Sequence, residues 1–315
     1  MDSTISNDEE LIINELSKDK NIDKRIWETI APCNRWNDDV KSAIAISLFS
    51  GSNKNTPSSH QIRSSINILL LGDQETIKSQ FFTTAEKISS QSVSIDCKES
   101  ENLIDSFTQA DDGICFITNL DQMKEKDQIL LKQVIEQSTS ISKEDKMTKL
   151  NTRYSIIAAC SPIHAQYDFS LSFNENLDLS DHLLSHFDLL LFVRNEEEEG
   201  QNHSEIEKID QNILKKYIQF ARSNFKPKLN DQICIQKITS FYIKIREVCS
   251  RKISVRNLES ITRIAEVHAR MCLRQNVTMN DVNFSIGLFS RSFVSAQKGE
   301  IKQLWTNALS EYMKL

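Results

Sequence analysis

The chain is poor in the two residues that punctuate loops: of its 315 residues only 6 are glycine and 4 are proline. So few offer little material for tight turns, which leaves the connections to Ser-, Asn- and Asp-rich segments and tilts the rest towards helix. Seven cysteines are present without any C-x-x-C pair, and the six histidines form no ligand-like cluster. That speaks against a structural zinc site and a disulfide framework; scattered single thiols suit a reducing, intracellular compartment, and no metal is expected. No apolar run approaches the length of a membrane span, and the mean hydropathy is −0.40. The opening Met1-Asp2-Ser3-Thr4-Ile5 lacks the basic and apolar regions of a secretory leader, so none is expected. Positive charge is not in excess either. With 38 Lys+Arg against 44 Asp+Glu the net charge is −6, which argues against a free-standing basic nucleic-acid binder but not against local basic contacts inside an assembly.

What is present is an ordinary globular composition, 39% hydrophobic and 26% charged, in a chain long enough for one good core or two modest ones. Amphipathic stretches at 11–16, 23–30 and 40–49 predict N-terminal helices over residues 1–50, followed by a polar loop at 52–64. Apolar runs at 66–71, 113–118, 154–160 and 189–193 are of buried-strand type, with a weaker run at Val93-Ser94-Ile95. A helix is predicted from Gln80 to Ser89, another from Gln122 to Gln137, and a hairpin over 138–153. Strands interleaved with helices predict an α/β base with a mostly parallel sheet over 51–195. The acidic run Glu196-Glu197-Glu198-Glu199 reads as a solvated linker over 196–204, and 205–315 is helix-patterned throughout.

Between the first apolar run and its helix lies Gly72-Asp73-Gln74-Glu75-Thr76-Ile77-Lys78-Ser79. Gly72, Lys78 and Ser79 stand in register for the phosphate-binding pattern G-x-x-x-x-G-K-S, in which glycine-lined amides, a lysine and a hydroxyl hold phosphates and Mg²⁺. Ile77 sits where the second glycine belongs, and Glu75 adds a carboxylate where phosphate oxygens would lie. The pattern has kept its lysine and lost its cradle.

The order of these pieces, together with Leu16-Ser17-Lys18-Asp19, Ile30-Ala31-Pro32, Ser140-Ile141-Ser142-Lys143, Leu184-Ser185-His186-Phe187-Asp188, Pro227-Lys228-Leu229-Asn230 and Val255-Arg256-Asn257-Leu258-Glu259-Ser260, resembles the AAA+ module of the minichromosome maintenance (MCM) helicases, most of all their subunit-two branch. The similarity runs from about Leu11 to the C-terminus. The family's N-terminal oligonucleotide-binding barrel and zinc motif have no counterpart in this sequence, and the connection from Cys97 to Asp112 is too short for the family's helix-2 insertion.

The resemblance implies a P-loop NTPase-type base with an all-helical lid, and it assigns roles by position. The acidic pair that holds Mg²⁺ and activates water falls on Thr118 and Asn119, the polar sensor on Ser161, and the arginine finger on His186, where a neutral imidazole is no substitute for a guanidinium. Tyr-Gly-His at the adenine side falls on Arg35-Trp36-Asn37, and only Arg256 survives as the lid's sensor arginine. Lys143, with Lys146 beside it, falls where the family contacts DNA from a central channel. The expected nucleotide remnant is therefore Gly72, Lys78, Ser79 and Arg256, with binding of ATP and Mg²⁺ weak or absent and no catalytic set intact. The resemblance implies a nuclear protein of DNA replication whose partners are MCM-type helicase subunits or other replication proteins, with DNA contacted inside an assembly and no membrane. An ATPase-inactive subunit or regulator is expected; the alternatives are a divergent subunit that still supports ATP-dependent helicase activity, and a protein-binding adaptor on a relic scaffold.

Overall fold

The computed structural model describes residues 6–31, 37–51, 63–99, 103–110, 113–136, 141–143, 146–148, 154–163, 167–168, 170–171, 173–193, 207–248, 253–295 and 305. Three helices open the chain: α1 (Asn7–Leu16), α2 (Ile22–Ile30) and α3 (Asp38–Phe49). Ser6 starts α1 with a capping box, its hydroxyl accepting from Glu9 N–H while Glu9 accepts from Ser6 N–H. The base then alternates β1 (Ile68–Leu71), α4 (Gln74–Ile77), a π-helical turn (Lys78–Phe82), α5 (Thr83–Ile88), β2 (Ser92–Asp96), α6 (Leu103–Gln109), β3 (Ile114–Thr118) and α7 (Glu125–Ile135). After α7 come β4 (Ile141–Lys143), β5 (Lys146–Thr148), β6 (Ser155–Cys160), α8 (Asp181–Leu184) and β7 (Leu189–Phe192). Four helices complete the described chain: α9 (Gln211–Asn224), α10 (Gln232–Val248), α11 (Val255–Met271) and α12 (Met279–Ser295).

The main sheet has five strands in the order β2-β3-β6-β1-β7, all parallel. The four expected core strands lie in it together, and the weak run at 93–95 supplies the fifth, at one edge. Both faces are covered, and the strands divide their side chains between them. Ile68, Leu70, Phe116, Ile157 and Leu191 face a core shared with α2, α3, α5, α9 and α11, while Leu69, Leu71, Ile117, Ala158 and Cys160 face α6 and α7. Burial on both faces is why the strands read as unbroken apolar runs rather than alternating ones.

α3 is buried at every residue from Val40 to Phe49 and runs under the sheet. A third core joins α10, α11 and α12, closed by Trp305. The last helix also seals the open sheet edge. Ser292 Oγ accepts from Leu190 N–H and donates to Leu190 O, each at 2.8 Å, which satisfies groups a bare edge strand would present to other chains.

One of the expected elements starts later than its pattern suggests. Helix α7 starts at Glu125, after a 3-10 turn at Leu120–Gln122, rather than at Gln122. The hairpin expected over 138–153 is present as the antiparallel pair β4–β5, with Lys143 opposite Lys146, and the side chains of both lie outside the described residues. The acidic linker expected at 196–204 also lies outside them, as do Arg35 and Trp36.

Candidate nucleotide site

Gly72 closes β1, Thr118 and Asn119 close β3, and Ser161 closes β6, which lies between the other two. These positions therefore meet at the carboxyl ends of neighbouring parallel strands, the place where ligands enter open α/β sheets. Gly72 N–H ties the ends of β1 and β6 together by donating to Cys160 O at 3.1 Å.

The phosphate segment departs from expectation. It is not an open loop, because the helix begins at Gln74 rather than Gln80 and Lys78 opens the π-helical turn. Asp73 starts the helix: its Oδ2 accepts from Thr76 N–H at 2.9 Å and from the Thr76 hydroxyl at 2.6 Å. Ile77 N–H donates to Asp73 O at 3.0 Å. Amides that a glycine-rich cradle would turn towards phosphate are thus already bonded. The Thr76 hydroxyl, then its amide, hold the Asp73 carboxyl below the usual carboxylate range, which places a fixed anion at the helix start.

Ile77 supplies the packing reason. Its side chain is 0% exposed in the core that contains Phe81 and Phe82. Burying an isoleucine contributes about 1.5–3 kcal/mol, so this side chain pins the helix where glycine would leave the backbone free. Gly72 is retained for close packing: a Cβ there would lie 3.1 Å from both Val193 Cβ and Val193 O. Ser79 is exposed and its hydroxyl donates to Thr76 O at 3.4 Å; the Lys78 side chain lies outside the described residues.

At the end of β3, the Thr118 hydroxyl donates to Ile95 O at 3.4 Å. Asn119 occupies the left-handed region, φ 55° and ψ 42°, which asparagine tolerates better than most residues. Its Nδ2 donates to Asp96 Oδ1 at 2.8 Å. Ser161 contributes its backbone: its N–H donates to Asp121 Oδ1 at 3.1 Å. Asp96 and Asp121 therefore bring carboxylates to the strand ends that the motif register alone overlooks. The Cys97 thiol feels them, pushed up to about 12 by burial and then by Asp96, Asp121 and Asp127. Among the described residues, no three His, Cys, Asp or Glu side chains are grouped to hold a metal ion.

His186 and Arg256 lie elsewhere. His186 precedes β7 and so sits at the amino ends of the strands, opposite Gly72, Asn119 and Ser161. It is buried, with Nε2 2.7 Å from Glu136 Oε1 and Nδ1 2.6 Å from His182 O. Arg256, in the first turn of α11, donates to the same Glu136 Oε1 at 3.4 Å. Two residues beyond His186, buried Asp188 accepts from Asn67 N–H at 2.8 Å, Ser260 Oγ at 2.5 Å and Arg263 Nη2 at 2.9 Å, and also pairs with Arg63. Glu136 and Asp188 were not legible as site residues, since their partners are 50 to 125 positions away in sequence.

A parallel sheet with a phosphate-type segment after β1, a polar pair after β3 and a helical segment docked beyond β7 defines a P-loop α/β base carrying a lid. The MCM P-loop domain matches residues 9–103 and 105–217, and the MCM AAA-lid domain matches 212–293. The chain belongs to the MCM family. It is 33% identical over 354 residues to the DNA replication licensing factor mcm2 of Xenopus laevis, covering 95% of this chain and 40% of that protein. It is 33% identical over 352 residues to Mcm2 of Drosophila melanogaster, again covering 40% of the relative. The DNA replication licensing factor MCM5 of Arabidopsis thaliana is 31% identical over 344 residues, covering 94% of this chain and 47% of that protein. The chain thus spans less than half the length of these relatives.

Proposed function

We propose that the chain serves DNA replication in the nucleus as an MCM-type subunit or regulator that assembles with helicase subunits without hydrolysing ATP itself. The observation that carries this reading is the helical phosphate segment, whose amides are bonded to Asp73 and whose glycine position holds buried Ile77. A magnesium nucleotide fits these residues poorly. Triphosphate oxygens would meet the Asp73 carboxylate and find the Thr76 and Ile77 amides already bonded, and Asn119 can neither take a proton from water nor carry charge to a metal.

The division of positions between opposite ends of the sheet supports assembly. Residues at the carboxyl ends and the His186–Arg256 pair do not converge within one chain, so a complete composite site needs a second subunit. Here the second half is spent internally on Glu136. Lys143 and Lys146, opposite each other on the β4–β5 ribbon, are the proposed DNA contacts inside such an assembly.

The test is co-purification of the tagged chain with MCM-type subunits, followed by DNA binding of the assembly with and without Lys143→Ala. Stoichiometric association, with weaker and less salt-sensitive DNA binding by the variant, is the expected result, because a lost phosphate contact releases fewer counterions. A chain that associates with no helicase subunit would favour the adaptor alternative.

A further inference from the structure

Phe241 on α10 and Phe293 on α12 hold the indole of Trp305. The indole stacks on Phe293, ring centroids 4.5 Å apart at 29°, and meets Phe241 edge-on at 6.4 Å and 85°. Both are preferred arrangements of aromatic rings. Phe289 backs Phe293 at 6.1 Å. Trp305 is only 2% exposed, so it is inserted into the lid rather than laid over it.

Several observations set this residue apart from the core it completes. That core has aliphatic members of its own on α10, α11 and α12, among them Ile238, Ile245, Ile261, Val282 and Ile286. Trp305 lies beyond residues 212–293, which match the MCM AAA-lid domain. Between Ser295, where α12 ends, and Trp305 stands Gly299, a residue that weakens helices. From there the hydrophobic pattern starts afresh. Ile301, Leu304, Trp305, Ala308, Leu309 and Tyr312 recur at the spacing of one helix face, with polar residues between them. Trp305 itself is helical.

No polar bond fixes the indole. Its Nε1 has no hydrogen-bond partner among the described residues, and neither has the buried hydroxyl of Tyr242, next to Phe241. Buried donors of an integral core are normally bonded. A ring held by stacking and burial alone can leave without breaking a hydrogen bond.

We propose that the groove between α10 and α12 is a docking site for a tryptophan-anchored amphipathic helix. Its occupant is the chain's own segment 300–315, held as a tethered ligand rather than as a built-in part of the lid core. Helix-in-groove recognition reads apolar anchors at i, i+3, i+4 and i+7, the pattern that begins at Ile301. Tryptophan is among the residues that dominate such contacts. The short connection after Ser295 keeps the segment at an effective concentration of the order of mM, so the groove of the intact chain is filled in cis.

The experiment is fluorescence anisotropy of a labelled peptide of residues 297–315 added to the full chain, parent and Trp305→Ala side by side. Amide exchange in α10 and α12 reports whether the lid of the variant is folded. The expected result is a folded Trp305→Ala chain that binds the peptide saturably and at least about tenfold tighter than the parent, whose groove is occupied. A peptide that itself carries Trp305→Ala is expected to bind at least about tenfold more weakly, as for a buried anchor. Loss of amide protection in α10 and α12 of the Trp305→Ala chain would make Trp305 part of the lid's own core and overturn the proposal. So would a folded variant that leaves the peptide free, or equal peptide binding by parent and variant. A parent that is dimeric in solution and monomeric as Trp305→Ala would seat the segment on a second copy and overturn the assignment in cis.

Discussion

Asp188 in the base and Arg263 in the lid form a buried ion pair, Oδ1 to Nη2 at 2.9 Å. Arg63 pairs with the other carboxylate oxygen, which also accepts from Asn67 N–H at 2.8 Å, and Ser260 adds a lid hydroxyl at 2.5 Å. One carboxylate thus gathers donors from the segment before β1 and from α11. Its worth lies less in net attraction than in what its removal exposes: two guanidinium groups at a dry junction.

Asp188→Asn keeps the shape and an acceptor but withdraws the charge. It should destabilise the chain by about 3–5 kcal/mol in chemical denaturation, the range for breaking one side of a buried pair. A change smaller than about 1 kcal/mol, the ceiling for most exposed pairs, would show that the junction is wet and the pair dispensable.

The same carboxylates set the acid limit. Burial pushes Asp188 up, but Arg263 and Arg63, with Asn67 and Ser260, hold it below the usual range. In the lid, burial pushes Asp281 up, while hydrogen bonds from His268, Arg274 and Thr278 bring it well below. A carboxylate depressed in the folded state contributes stability that is present above its unfolded value, about 3.9 for aspartate, and is lost as pH falls through the folded value. Denaturation midpoints should therefore fall steeply below about pH 4, and less steeply in Asp281→Asn. Equal acid slopes for parent and variant would contradict the assignment.

Ile77→Gly restores the motif's second glycine and removes the side chain that pins the segment to the core. A buried isoleucine cut to alanine loses about 2–5 kcal/mol, and a helical glycine about 1 kcal/mol more. The variant should lose stability on that scale in urea denaturation without gaining affinity for Mg-ATP in calorimetry. Unchanged stability would mean that Ile77 does not hold the helix.

The sheet was legible because its strands are buried on both faces, so Ile68–Leu71 and Ser155–Cys160 stand out as apolar runs whatever their neighbours. Edge strand β2 gave a weaker signal, since only Ile95 among its residues is fully buried. The helix start at Gln74 was hidden in plain view. Asp73 followed three residues later by Thr76 is a capping pattern, but it lies inside the register of Gly72, Lys78 and Ser79, which reads as an open loop. Glu136 was not legible at all, because nothing local in Ile135-Glu136-Gln137 announces partners at 186 and 256.

On the proposed function the chain does not turn over ATP. It is tested most directly by phosphate release from Mg-ATP on the purified chain, alone and mixed with MCM-type subunits, with Lys78→Ala in parallel. The expected result is release at background from the chain alone, and no difference between parent and Lys78→Ala in either setting. Turnover by the chain that disappears in Lys78→Ala would contradict it and would make the protein a divergent, working helicase subunit.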